Sequence, residues 1–223
     1  MNERSNFLIK HKPITISVAY CWSNIEEWAH MRAFLNNVVK EAQRRWVGRL
    51  KRSGELEFED AEDLEGPDHP PAEMPFRCSV RRLRAGAGRF AWIDICNRIK
   101  NSDLLLFDIT PATNEKKTRD NVMLELGYAK CLSEYTHCPI IVTATDGARY
   151  AEWVPSDLQG MILAGYAEPS RSKRQAAVAS SSALRMAVVS ELIRIFDRVY
   201  IESLRRDDVQ SDPIARAVRS DAR

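Results

Sequence analysis

The sequence is poor in cysteine and histidine, and neither residue type is clustered. The five cysteines are odd in number, no two of them form a Cys-x-x-Cys pair, and the four histidines are equally scattered. This distribution argues against a disulfide framework or a zinc ribbon as the organising feature of the fold. We therefore predict no metal site and expect a reducing, cytoplasmic environment.

Long apolar runs are missing as well. No stretch approaches the roughly 20 apolar residues that a membrane-spanning helix needs, and the polar residues 1–12 lack the apolar core of a secretory signal. The 33 basic and 31 acidic residues nearly cancel, so the chain as a whole has little attraction for nucleic acid or an anionic membrane. We expect neither of these as a partner.

The motifs of several common enzyme classes are absent. The sequence contains no Gly-x-Ser-x-Gly, no His-Glu-x-x-His and no Walker lysine, which leaves serine hydrolases, zincins and P-loop proteins without support. The segment "GAGRFA", which contains Gly86 and Gly88, loosely fits a dinucleotide fingerprint but does not follow the first predicted strand. It is either a flexible helix entry or a phosphate cradle flanked by Arg84 and Arg89.

The apolar runs that are present predict a parallel sheet. Buried strands are predicted at residues 14–20, 103–110 and 138–145, and shorter strands at 55–60, 76–83 and 161–166. Segments with helical spacing lie between strands and again at 183–200. Continuous apolar strands that alternate with helices favour a sheet covered on both faces. We predict one flavodoxin-like, doubly wound α/β domain with three layers.

The predicted domain spans residues 13–203. A polar lead-in precedes it at residues 1–12, and a flexible charged tail follows it at residues 204–223. Within the domain, the acidic and proline-rich residues 61–75 predict a loop, and residues 169–182 predict a flexible connection.

The fold class by itself predicts where a ligand binds. In open α/β sheets the ligand lies outside the carboxyl ends of the strands. The residues that follow the three main strands are therefore candidate site residues: Tyr20, Trp22, Ser23, Asp108, Thr110 and Asp146. Each also has an ordinary interpretation, since aromatic residues often belong to the core and an aspartate often shapes a turn.

Glu125 is the most unusual residue of the sequence. It lies in "NVMLELGYAK", residues 121–130, where apolar side chains nearly surround it. A buried glutamate needs a partner or a function; the alternative is an exposed carboxylate in a first helical turn. Desolvation raises its pKa, the helix start lowers it, and a poorly hydrated carboxylate suits the oxocarbenium of a breaking glycosidic bond. Gly127 nearby suggests that a strand or a ligand approaches this helix.

The segment "SDLLLFDITP…NVMLELGYA" resembles one shared by nucleoside 2-deoxyribosyltransferases and related TIR-like nucleotide-binding proteins. The resemblance covers residues 101–142, and "VPSDLQGMILAGY" resembles a downstream TIR-like segment. In this family the glutamate of Glu-Leu-Gly attacks or stabilises C1′ of the ribose as the base or nicotinamide leaves. The resemblance implies that Glu125 has this role and that Tyr20 orients it. Asp108, at the end of the neighbouring strand, is the third residue that we predict to be catalytic. The expected substrate-binding residues are Trp22, Ser23, Gly86, Gly88, Arg89, Trp92, Thr110, Asn121 and Asp146.

Two departures from the family pattern limit what carries over. The loop at residues 111–120 is longer than the usual Asn-Pro link, and the acidic residues that hold the base have no secure match, with Asp94 and Asp120 as the nearby candidates. We expect an N-glycosidic-bond enzyme that needs no cofactor, either an NAD nucleosidase or a base hydrolase or transferase, with a defence or signalling role among the options. The alternative is a non-catalytic nucleotide sensor on the same fold. The expected partner is a nucleotide or nucleoside, and a homo-oligomer is compatible with the sequence.

Overall fold

The computed structural model describes residues 12–20, 25–54, 75–83, 91–110, 120–145, 163–166 and 182–211. Its strands are β1 (Ile14–Tyr20), β2 (Cys78–Arg82), β3 (Leu104–Asp108), β4 (Ile140–Thr145) and β5 (Leu163–Tyr166). Its helices are α1 (Ile25–Ser53), α2 (Ala91–Lys100), α3 (Asp120–Thr136) and α4 (Ser182–Ser211).

The five strands form one parallel sheet in the order β2-β1-β3-β4-β5. This is the strand order of flavodoxin-like, doubly wound folds, in which the chain first moves to one edge and then reverses. The predicted fold class is confirmed, and the predicted short strand at residues 76–83 forms an edge of the sheet as β2. The predicted strand at 55–60 lies outside the described residues, as does the predicted connection at 169–182 except for Ser182, which begins α4.

Helices α1 and α4 cover one face of the sheet. Ile14, Ile16 and Val18 of β1 point to this face, together with apolar residues of β3 and β4. Trp46 is fully buried at its centre, and its indole nitrogen donates a 2.9 Å hydrogen bond to Asp197 Oδ1. The largest side chain of this core therefore has its one polar atom satisfied, which is what burial of tryptophan requires.

Helix α3 covers the opposite face. It packs Val122, Leu126 and Ala129 against apolar residues of β1, β3 and β4. Helix α2 packs mainly against α3, with Ile99 as its buried residue. The three layers predicted from the sequence are therefore α1 and α4, the sheet, and α2 and α3.

Helix α4 is longer than predicted, since it continues from the expected end near Tyr200 to Ser211. Its last part is highly charged, but leucine, arginine and glutamate are good helix formers. The next proline along the chain comes only at position 213, after the helix has ended. No helix among the described residues is long and apolar enough to cross a membrane.

Candidate active site

The carboxyl ends of the two central strands bring two candidate residues together. Tyr20 of β1 lies opposite Asp108 of β3 in the parallel register, and Asp108 lies opposite Thr143 of β4. The side chain of Asp108 is buried, as is that of Thr110 two residues later. The backbone therefore places Tyr20 beside Asp108 at the predicted edge; the side chain of Tyr20 lies outside the described residues.

Asp108 shapes the turn that ends β3. Its Oδ1 atom accepts a 3.0 Å hydrogen bond from the backbone N–H of Thr110 and a 2.5 Å hydrogen bond from the Thr110 hydroxyl. An aspartate that binds the amide two residues ahead forms an Asx turn. The ordinary interpretation of Asp108 as a turn residue thus applies, and the hydroxyl of Thr110 is directed back to Asp108.

Glu125 is buried, with 5 % of its surface exposed. Helical spacing places it on the sheet-facing side of α3 with Val122, Leu126 and Ala129, all of which are buried as well. The alternative interpretation, an exposed carboxylate in the first turn, is therefore wrong. The helix itself is less buried than its composition suggests, because Leu124 on its outer side is 60 % exposed.

Burial raises the pKa of Glu125 from its ordinary value of 4.5 to about 7. Among the described residues, desolvation is the one cause of this shift, and no hydrogen bond or ion pair opposes it. The lowering expected from the helix start should be small, because α3 begins at Asp120, which places Glu125 in the second turn, whereas the helix charge acts mainly within the first. At neutral pH the group can exist in both protonation states, which is a property of catalytic carboxylates.

An aromatic pair joins α2 to α3 near the turn of α3 that contains Glu125. The rings of Trp92 on α2 and Tyr128 on α3 meet edge to face, with their centroids 5.7 Å apart, and Trp92 is 40 % exposed. Tyr128 follows Glu125 by three positions and Asn121 precedes it by four, so both are its neighbours on the helix surface. Asn121 and Tyr128 are thus helix-surface neighbours of Glu125, and Trp92 is connected to this surface through its contact with Tyr128. Sequence reasoning did not name Tyr128, although its three-residue spacing from Glu125 was an available signal.

Gly127 does not mark a close approach by a strand. It is exposed, and a Cβ atom built there would meet no atom of the described residues within 4 Å. That part of the sequence prediction is wrong, because Gly127 lies on the outer side of α3, away from the sheet. A ligand as the reason for this glycine stays a prediction.

Several of the predicted site residues belong to segments that the structure does not describe. Outside the described residues lie Trp22, Ser23, Arg84, Gly86, Gly88, Arg89 and Asp146, together with residues 111–119. Of the two acidic candidates for holding the base, Asp94 forms a 3.2 Å ion pair with Arg98 on α2, and Asp120 is the first residue of α3. The described part of the proposed site therefore consists of the strand ends around Asp108 and of the α3 surface around Glu125.

Comparisons with known proteins add little to this geometry. No protein-family model matches the chain, and no curated protein matches it. Among solved structures, the chain is similar to a 2-desoxiribosyltransferase from Leishmania mexicana, with 18 % sequence identity and a TM-score of 0.32 over 63 % of this chain and 76 % of that one. The fold class follows from the strand order, and the chemistry has to be argued from the site.

Proposed function

We propose that this protein cleaves the N-glycosidic bond of a nucleoside or nucleotide, with the carboxylate of Glu125 acting at C1′ of the sugar. The observation that carries the proposal is a glutamate buried among apolar residues, with its pKa raised to about 7. An ionised carboxylate in such a setting is destabilised relative to water. A neighbouring positive charge would relieve that destabilisation, and an oxocarbenium supplies one.

The reaction needs such a group because loss of the base leaves positive charge on the sugar. As the C1′–N bond breaks, its electron pair leaves with the base, and the Glu125 carboxylate either stabilises the oxocarbenium or bonds to C1′. Water then attacks C1′ in a hydrolysis, or a second base attacks in a transfer, and the attacking molecule loses a proton to solvent. Where Glu125 has bonded to C1′, this attack breaks the bond and releases the carboxylate. Carboxylates assist the cleavage of glycosides in the same way, by stabilising or attacking the sugar carbon as the bond breaks.

The nature of the base determines whether the reaction also needs a proton donor. Nicotinamide carries a positive charge in NAD and leaves as a neutral molecule, so it needs no proton donor. A neutral nucleobase leaves readily only when it is protonated. The rings of Trp92 and Tyr128 offer a surface for either kind of base, because every base has a flat face that stacks on aromatic side chains.

The second candidate is a nucleotide-binding sensor without catalysis. The hydrogen bonds of Thr110 to Asp108 favour it, because they give Asp108 a structural task at the end of β3. In a sensor, Glu125 would contribute to ligand binding, and no base would be released.

Incubation of the pure protein with NAD and with a panel of nucleosides, followed by chromatography for free base, tests the proposal. Glu125→Gln should lower turnover by at least about a hundredfold, the scale of a well-placed electrostatic group. It should leave KM nearly unchanged, since the charge on the sugar exists in the transition state and not in the bound substrate. Wild-type turnover should rise with pH through about 7 as Glu125 ionises.

The matched control is Glu134→Gln, which removes an exposed carboxylate from the same helix. It should retain wild-type turnover. Ligand binding without any base release would favour the sensor, and base release at equal rates by wild type and Glu125→Gln would remove Glu125 from the mechanism.

A further inference from the structure

A cavity of about 470 Å³ lies between α2 and the edge of the sheet formed by β1 and β2. Its walls come from the segment before β1, from β1 and β2, and from the inner side of α2. Asp108 and Glu125 are not among the described residues that line it. Its volume falls within the roughly 300–1,000 Å³ range of small-molecule sites.

The cavity exists because this part of the sheet face is polar. Ile14, Ile16 and Val18 of β1 belong to the core under α1 and α4, so the alternate residues Thr15 and Ser17 point to the other face. The register places Thr15 opposite Ser79 and Ser17 opposite Arg81. Both faces of a covered parallel sheet are normally apolar. Helix α2 therefore has no apolar surface to pack on here, and it packs against α3 instead.

Hydrogen bonds hold the floor of the cavity in place. The hydroxyl oxygens of Ser102 and Ser17 are 2.7 Å apart, and the Ser102 hydroxyl also lies 2.7 Å from the backbone oxygen of Arg98. The backbone N–H of Thr15 donates a 2.8 Å hydrogen bond to Asp103 Oδ2. These bonds tie β1 to the end of α2 and to the start of β3. A floor that is ordered before binding reduces the entropy lost when a ligand binds.

The charges around the cavity are mostly positive. Four basic residues from three parts of the chain line it, namely Lys12, Arg81, Arg82 and Arg98, and the register places Arg81 on the same face of the sheet as Ser17. Among the described residues of the lining, Asp94 is the one that is acidic, and it forms an ion pair with Arg98. Asn97, Asn101 and the hydroxyls of Thr15 and Ser17 add uncharged polar groups. Guanidinium groups match the geometry of phosphate oxygens, and the amides and hydroxyls suit hydroxyl groups beside a phosphate.

We propose that this cavity binds a phosphate-bearing small molecule at a site separate from the one around Glu125. The phosphate lies among the guanidinium groups, and the rest of the molecule contacts the polar floor. The ligand is either inorganic pyrophosphate or an organic phosphate such as a sugar phosphate, because both present the same oxygens to the arginines. This site goes beyond the proposed glycosidic chemistry and does not depend on it.

Isothermal titration of the full chain with pyrophosphate and, separately, with ribose 5-phosphate tests this site. Arg81→Gln removes one charge at the rim, and Thr15→Val removes a hydroxyl from the floor at nearly constant shape. Arg81→Gln should weaken binding by about tenfold or more, the scale of a hydrogen bond to a charged group. Thr15→Val should weaken the binding of ribose 5-phosphate more than the binding of pyrophosphate, because only the former has hydroxyl groups for the floor to contact. Tighter binding of ribose 5-phosphate would identify an organic ligand, and tighter binding of pyrophosphate an inorganic one.

The matched control is Arg44→Gln, which removes an exposed arginine from α1 on the opposite face of the sheet. It should change the affinity by less than about twofold, because exposed charges farther apart than a Debye length are screened. Equal losses of affinity in Arg44→Gln and Arg81→Gln would mean that the ligand is attracted by the positive charge of the protein as a whole, and would overturn the proposal. So would the absence of binding at millimolar ligand, or wild-type binding by folded Arg81→Gln and Thr15→Val.

Discussion

The indole ring of Trp92 meets the ring of Tyr128 edge to face, with the centroids 5.7 Å apart. This contact connects the start of α2 to the turn of α3 that follows Glu125. The pair is partly open to solvent, since Trp92 is 40 % exposed. Under the proposed function, this pair is the surface that would hold the base of a nucleoside, because Tyr128 follows Glu125 by one helical turn and Trp92 keeps its ring accessible.

Trp92→Ala should therefore weaken substrate binding more than it slows the chemical step. Stacking of a base on an aromatic side chain contributes about 1–3 kcal/mol, so KM for a nucleoside should rise about tenfold or more while kcat changes little. Steady-state kinetics of base release measure both quantities. The KM of Trp92→Phe should lie between those of wild type and Trp92→Ala, because phenylalanine keeps a smaller aromatic face.

Tyr135→Ala is the control for Trp92. Tyr135 is an aromatic residue on the same helix as Tyr128, but it is 83 % exposed and contacts no other ring among the described residues. Its removal should leave KM unchanged. A Trp92→Ala protein with wild-type KM would exclude this aromatic pair from the base-binding surface.

Two glycines should respond in opposite ways to the same substitution. Gly54 follows α1 with a φ of +72°, a left-handed conformation that is unfavourable for alanine by roughly 1–2 kcal/mol. Gly127 lies inside α3, where alanine is favoured over glycine by up to about 1 kcal/mol. In the part of the chain that the structure describes, a new Cβ meets no atom within 4 Å at either position. Gly54→Ala should therefore lower the free energy of unfolding and Gly127→Ala should raise it, as measured by urea denaturation.

Gly127→Ala also tests whether a ligand approaches α3. If the glycine serves only the free protein, the variant should be more stable and fully active. A more stable variant with weakened nucleoside binding would mean that the ligand contacts the helix at this position. A loss of stability in Gly127→Ala would contradict the open space around Gly127.

The sheet was predictable because its signals are local. β1, β3 and β4 are compact apolar runs, and the helices between them have regular spacing and recognisable starts. The strand order then follows from few alternatives, since parallel strands need crossover connections. The signal for Glu125 is also local, because a single carboxylate among apolar residues of one helix is unusual.

The cavity was not predictable, although part of its signal was present. Thr15 and Ser17 alternate with isoleucine and valine in β1, which indicates one polar face, but the run as a whole resembles a strand that is apolar on both sides. That α2 packs against α3 and leaves a gap over β1 and β2 depends on contacts between distant segments. The contact of Trp92 with Tyr128 is of the same kind, because no local pattern connects two helices.

The last prediction concerns the pH dependence of stability that Glu125 imposes. Its pKa is about 7 in the folded protein and 4.5 as its ordinary value, so between these pH values the unfolded chain has released a proton that the folded chain still holds. Stability must therefore fall as pH rises through this window. At about 1.4 kcal/mol for each pH unit of difference, the full loss above pH 7 is on the order of 3 kcal/mol.

Glu125→Gln removes this titration while keeping the size of the side chain. Near pH 4.5 the two proteins should be almost equally stable, and the variant should become the more stable one as pH rises toward 8. Urea denaturation at a series of pH values measures the difference, in which the titration of all other groups cancels. Glu134→Gln controls for the change in net charge, since it removes an exposed carboxylate from the same helix. A difference between wild type and Glu125→Gln that does not change with pH would mean that Glu125 is solvated in the folded protein, and the desolvated carboxylate on which the proposed chemistry depends would not exist.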